Sequence, residues 1–175
     1  LQNIVDDLLD LSRLESGGWI AAPGPVDLGQ VARGAWDALS TKLVADRVFS
    51  VSGQGLALAD GSGMSQVFRN LFENAVRHTA PGGRITVRIS TDGDVVTVRV
   101  VDDGEGIPLQ SLPRIFERFY RADSSRDRDQ GGTGLGLAIV RHMIHSMGGA
   151  VGAESELGRG TTIVMTLPAA PVPAG

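Results

Sequence analysis

No cysteine occurs among the 175 residues. That excludes a disulfide scaffold, thiol catalysis and Cys-based zinc sites, and it fits a reducing compartment. Lysine is almost missing too: Lys42 stands against fifteen arginines, so a mechanism that needs a lysine elsewhere is excluded. No apolar run reaches the roughly 20 residues of a membrane span, and no signal peptide is visible. The net charge is −4, which argues against a nucleic-acid surface. The chain opens on "LQNIVDDLLDLSRLES" without a Met, so it reads as a fragment cut inside a helix.

Apolar residues make up 42% of the chain, enough for one domain with one appended element. Residues 1–16 predict a helix whose seam is Leu1, Ile4, Leu8 and Leu11, widened by Val5, Leu9 and Leu14. That much apolar surface wants a partner, either its own domain or a second chain. "SGGWIAAPGPVD" is Gly/Pro punctuation and marks a linker. A helix follows over 28–45, then strands "RVFSVSG" and "LALAD", then a helix over 61–79. Strands at 83–91 and 95–103 are joined by Asp92-Gly93, a hairpin signal. Residues 121–132 are polar and charged and read as a mobile loop. A helix over 134–147, strands "AVGAESE" and "TTIVMTLP" and a disordered tail complete the chain. The expected fold is α/β, with a mixed sheet and helices on one face.

"GGTGLGLAIV" places four glycines within 131–136 and then turns apolar at helical spacing. Such a loop either cradles phosphate on backbone N–H groups or is a tight turn. It is not a Walker A loop, because no Gly-Lys pair exists, and no position fits the Rossmann glycine spacing. In "QVFRNLFENAVRHT", Val67, Phe68, Leu71, Phe72, Ala75 and Val76 form an apolar side. Asn70, Asn74 and Arg77 share the opposite stripe. That stripe is either a solvated face or a site, and Asn is costly in mid-helix. An Asn carbonyl suits Mg²⁺, which keeps waters and phosphate oxygens as its other ligands. In "VVDDGEGIP", Asp102 ends a strand before Gly104 and Gly106, either as an ordinary turn or as an acceptor for a purine amino group. In "GRGTTIVM", Thr161 or Thr162 offers a hydroxyl near the same base.

The ordered set "NLFENA", "DDGEGIP", "RIFERFYRAD", "GGTGLGLAIV" and "GRGTT" resembles the five sequence boxes of sensor histidine kinases. That family belongs to a superfamily with gyrase, heat-shock chaperone and mismatch-repair ATPases. The resemblance covers about 25–168 and implies a two-layer α/β sandwich of the Bergerat ATP-binding type. It implies Asn74 as the Mg²⁺ ligand, Asn70 as its polar partner, and Arg77 where a phosphate-binding Lys often stands. His78 falls where an aromatic ring often packs on adenine. Asp102 matches the adenine-binding Asp, with Gly104, Gly106 and Ile107 shaping the pocket. Phe116 and Phe119 match the F box, Thr161 matches the last box, and Arg118 or Arg121 is implied to help neutralise the phosphates. Gly132, Thr133, Gly134, Leu135 and Gly136 match the phosphate loop, part of a lid over about 118–136.

Two departures are Arg77, a fork rather than a point charge, and His78, a smaller stacking surface. Hydrolytic relatives carry a Glu where this chain has Asn70, which cannot act as a base. The resemblance therefore implies a kinase catalytic domain that binds Mg·ATP. Its phospho-accepting histidine is expected on a dimerisation hairpin, because His78, His142 and His145 lack the His-Glu or His-Asp context. Residues 1–16 resemble the end of that hairpin's second helix, 17–27 the linker, 28–168 the ATP-binding domain and 169–175 the tail. The implied parent is a homodimer anchored in the inner membrane, with this domain in the cytoplasm and a response regulator as partner. The fragment itself is expected as a monomer or weak dimer. The rival readings are an ATPase of the same superfamily and a nucleotide-free interaction module.

Overall fold

The computed structural model describes residues 2–122 and 132–172. Most of the mobile loop expected at 121–132, and the end of the tail, lie outside the described residues.

The first helix, α1 (Gln2–Glu15), divides its apolar seam in two. Leu11 and Leu14 are buried against the body, where α1 packs on a later helix, α5 (Gly136–Ser146). Ile4, Val5, Leu8 and Leu9 stay exposed. The Gly/Pro-rich stretch that follows is not all linker: Gly24–Asp27 forms a strand, β1. The Asp27 carboxylate caps α2 (Leu28–Asp37) by accepting from Gln30 N at 3.1 Å. The helix expected through residue 45 stops early. Leu39 is buried and Ser40 adopts an extended ψ of 130°, which leaves Thr41–Val44 as a separate short helix, α3.

The next two strands, β2 (Val48–Gly53) and β3 (Leu56–Ala59), enter different sheets. Gly53 has φ +77°, and a Cβ there would lie 1.9 Å from the Ile89 carbonyl oxygen, so only glycine makes this exit. The strand β3 pairs antiparallel with β1. The five-stranded sheet is completed by β4 (Arg84–Asp92), β5 (Val95–Asp102), β6 (Ala150–Glu156) and β7 (Gly160–Pro168). Its order is β2-β4-β5-β7-β6. The first pair is parallel and the others antiparallel, so the sheet is mixed as expected. The β4–β5 turn centres on Gly93-Asp94, one residue later than expected, because Gly93 supplies the positive φ.

Alternation decides the layers. Ile85, Val87, Val96, Val98, Ile163, Met165 and Leu167 are buried, and the residues between them face outward. The helices α2, α4 (Gly61–His78) and α5 cover the inner face, giving the two-layer sandwich. The six apolar residues expected on the core side of α4 are all buried, and Met64 joins them. Trp36 stacks on Phe49 at 4.4 Å, and both meet Phe72 edge-on. The tail starts later than expected: Ala169 bridges to Ala57, and Ala170 N–H donates to the Leu56 carbonyl at 2.8 Å. Asp60 fastens the segment before β1 to α4, accepting from Gly63 N at 2.8 Å, Ser62 Oγ at 2.9 Å and Ala22 N at 2.8 Å.

Candidate nucleotide site

The sheet ends where α4 ends, and a cavity opens between them. Asp102 is the last residue of β5, and its cross-strand partner on β7 is Thr161. Both are buried, and both line a cavity of about 350 Å³. His78, Gly106, Ile107, Leu137 and Leu157 also line it. The cavity continues outward into a larger, more open cleft of about 900 Å³, lined by Asn70, Thr133, Gly136 and acidic residues of α1. Asn74, Arg77 and Gly134 border both spaces. The helical period does this: Asn70, Asn74 and Arg77 project from one side of α4 while its opposite side fills the core.

Burial pushes the Asp102 carboxyl above its ordinary value. Backbone hydrogen bonds from Gly104 and Thr161 and the charge of His78 pull it back part of the way. The Gly104 bond is 2.9 Å long. His78 Nδ1 lies 2.8 Å from Glu105 Oε1, so the ring at the cavity wall is oriented by a carboxylate. Asn70 is buried with its Nδ2 lacking any hydrogen-bond partner among the described residues. A buried amide with a spare polar atom beside a polar cleft is costly unless a ligand completes it.

The glycines divide by purpose. A Cβ at Gly106, where φ is +76°, would lie 2.2 Å from the Glu156 carbonyl oxygen. At Gly104 it would meet the His78 carbonyl at 2.3 Å. Gly104 therefore packs the loop on α4 and does not line the cavity. At Gly132, a Cβ would lie 3.2 Å from Arg77 Nη1 and 3.4 Å from Arg121 Nη2, so two guanidinium groups flank this glycine.

Several expected residues are not brought to the cavity. Phe116 is half-buried against the core, and Phe119 is exposed with φ +60°. Phe119 N–H donates to the Gly134 carbonyl at 2.8 Å, and its ring does not line the cavity. Ile115 and Tyr120 line the cavity in their place. Arg118 is drawn off by an ion pair with Glu15 of α1. Leu135 is buried, and its N–H donates to Thr133 Oγ1 at 3.2 Å. Thr133 in turn donates to Asp7 Oδ2 on α1 at 2.5 Å. Sequence reasoning missed Ser155, which stands beside Thr161 across β6 and β7. Its signal was the hairpin register around "ELGRG", which only strand pairing makes countable.

This combination of sheet, helix stripe and glycine loop has known counterparts. The family of histidine kinase-, DNA gyrase B- and HSP90-like ATPases matches residues 59–171, and the chain belongs to it. It is 40% identical over 111 residues to the sensor histidine kinase WalK of Bacillus subtilis, covering 62% of this chain and 18% of that protein. It is 39% identical over 105 residues to the sensor protein SrrB of Staphylococcus aureus, again with 18% of that protein covered. The chain thus spans under a fifth of the length of these relatives. The mycobacterial sensor histidine kinase MprB superposes with a TM-score of 0.76 at 32% identity, over 85% of this chain and all of that one. Full-length ShkA in complex with AMPPNP superposes with a TM-score of 0.81 at 32% identity, over 97% of this chain and 36% of that one.

Proposed function

We propose that the chain binds Mg·ATP in the cavity and, in an intact sensor kinase, presents the γ-phosphoryl group to a histidine on a dimerisation hairpin. Relay to a response regulator aspartate follows. The observation that carries this is the pairing of a buried acceptor floor, Asp102 and Thr161, with an amide-and-arginine mouth, Asn70, Asn74 and Arg77. ShkA, a structural neighbour, holds AMPPNP. Asp102 accepts from an adenine amino group, and the apolar walls of Ile107 and Leu137 enclose the ring.

The donor set fits Mg²⁺. Among the described residues no group of three or more His, Asp or Glu converges on a point. That suits an ion held by one amide oxygen, phosphates and water rather than by a protein cage. Asn74 supplies the oxygen. When bound, Mg²⁺ neutralises charge on the phosphates and orients them. The orphaned Asn70 Nδ2 donates to a phosphate oxygen. Arg77 and Arg121, on either side of Gly132, offset the charge that spreads over the transferred group.

Asn70, where hydrolytic relatives carry a Glu, is an amide and removes no proton from water. Glu73 also lines the outer cleft, paired with Arg69 at 3.9 Å, and is the carboxylate of α4 that an ATPase would have to use. We assign α1 as the end of the second hairpin helix, with its exposed Ile4, Val5, Leu8 and Leu9 toward the rest of a homodimeric parent. That parent is membrane-anchored with this domain in the cytoplasm. Incubation with γ-labelled ATP tests the reading. The chain alone is expected to bind without labelling itself or releasing phosphate. Adding the parent's hairpin restores labelling, slowly and on its histidine only, because docking in trans costs orientation entropy. Steady phosphate release that Glu73→Gln abolishes would instead make the chain an ATPase. Failure to bind ATP would make it an interaction module.

A further inference from the structure

Thr161 stands between two neighbours, Asp102 on β5 and Ser155 on β6, so the three side chains form one row on the inner face of the sheet. Three hydrogen bonds meet at Ser155 Oγ. Ile107 N–H donates to it at 2.7 Å. Its own proton reaches the Gly160 carbonyl at 2.8 Å. Thr161 Oγ1 lies 2.9 Å away.

Counting protons settles the direction of the last bond. A hydroxyl has one proton and two lone pairs. The Gly160 oxygen only accepts, so it takes the Ser155 proton. The Ile107 amide only donates, so it takes one lone pair. The remaining lone pair faces Thr161, and the proton between the two hydroxyls must belong to Thr161. Thr161 therefore turns only lone pairs toward the cavity it lines. The ionised Asp102 beside it also only accepts.

We propose that Ser155 is a positioning residue that holds the Thr161 hydroxyl as an acceptor and so sets the cavity floor against bases with an oxo group where adenine has its amino group. The inference rests on the nucleotide reading above and deepens it. With position 6 of the base seated between Asp102 and Thr161, an oxo base would bury an acceptor against two acceptors, the arrangement by which a hydrogen-bonding site rejects the wrong analogue. A Thr161 hydroxyl released from Ser155 is free to rotate and donate to that oxygen.

Calorimetric titration with ATP and with ITP, which carries the oxo group, tests this. The wild-type chain is expected to favour ATP. Ser155→Ala should narrow the ATP-to-ITP affinity ratio by about fivefold, roughly one hydrogen bond. Ser155→Thr keeps the hydroxyl and should keep the ratio. In a Thr161→Val background, removing the Ser155 hydroxyl should leave the ratio unchanged. If Ser155→Ala fails to fold by circular dichroism, Ser155→Cys carries the same expectation, because its sulfur is a weak acceptor. Equal loss of both nucleotides, with the ratio unmoved, would make Ser155 merely structural and overturn the proposal. So would a ratio that collapses equally in Ser155→Thr. Binding of neither nucleotide by the wild-type chain would overturn the nucleotide reading itself, an outcome distinct from binding both with a ratio indifferent to Ser155.

Discussion

Asp102 and Thr161 face each other across β5 and β7, both buried, at the closed end of the cavity. Burial raises the Asp102 pKa in the folded state above its unfolded value. The folded chain then holds more of that proton, so Asp102 subtracts stability as pH rises from about 4 through the raised folded value. At neutral pH its charge is a cost carried for binding. Asp102→Asn should therefore raise the ligand-free Tm at neutral pH, and the gain should shrink toward pH 4. ATP affinity should fall roughly tenfold or more, the loss of a hydrogen bond to a charged acceptor. Calorimetry showing unchanged affinity would remove Asp102 from the base pocket.

The two asparagines of α4 should separate by metal. Asn74→Ala is expected to weaken Mg·ATP far more than metal-free ATP, because it deletes a ligand of the ion. Equal losses with and without Mg²⁺ would leave Asn74 a structural residue. Asn70→Leu removes the buried, unpartnered Nδ2. It should stabilise the ligand-free chain by about 1 kcal/mol in urea unfolding while weakening nucleotide binding. A destabilised Asn70→Leu would mean that the amide is satisfied in solution.

The glycine loop and the stretch around Arg118 are tied to α1 by two unequal contacts. Thr133 Oγ1 donates to Asp7 Oδ2 and also accepts from Leu135 N–H. Arg118 pairs with Glu15 at a surface where such pairs contribute about 0–1 kcal/mol. Hydrogen exchange at residues 132–136 should thus quicken clearly in Asp7→Ala and little in Glu15→Ala. The reverse order would place the main tie at Arg118.

Asp60 should act as an acid-sensitive pin. Burial pushes its carboxyl up, but hydrogen bonds from Ala22, Gly63 and Ser62 outweigh that and hold it below the ordinary value. A lowered folded pKa contributes stability above about pH 4 that is lost as pH falls through the folded value. Trp19 packs on Gly63, where a Cβ would lie 2.9 Å from its ring. In a Trp36→Phe background, Trp19 fluorescence should report release of this segment in acid, and Asp60→Ala should release it at neutral pH. A Trp19 signal indifferent to both would separate the ring from the Asp60 clamp.

The sequence by itself determined α4 and its two faces. A 3.6-residue period is a local property, so the six buried apolar residues and the stripe of Asn70, Asn74 and Arg77 could be read from spacing alone. The alternation along β4, β5 and β7 was legible for the same reason, and with it the two layers. Tertiary structure decided the rest. Whether Val48–Gly53 and Leu56–Ala59 share a sheet depends on partners at Arg84–Ile89 and Gly24–Asp27, far away along the chain. Arg118 reads as a phosphate ligand until Glu15 comes within reach. Ser155 is an unremarked strand residue until register sets it beside Thr161, and Thr161 beside Asp102. Helical period acts over a few residues, whereas strand register and ion pairing are set by segments that meet only when the core has closed.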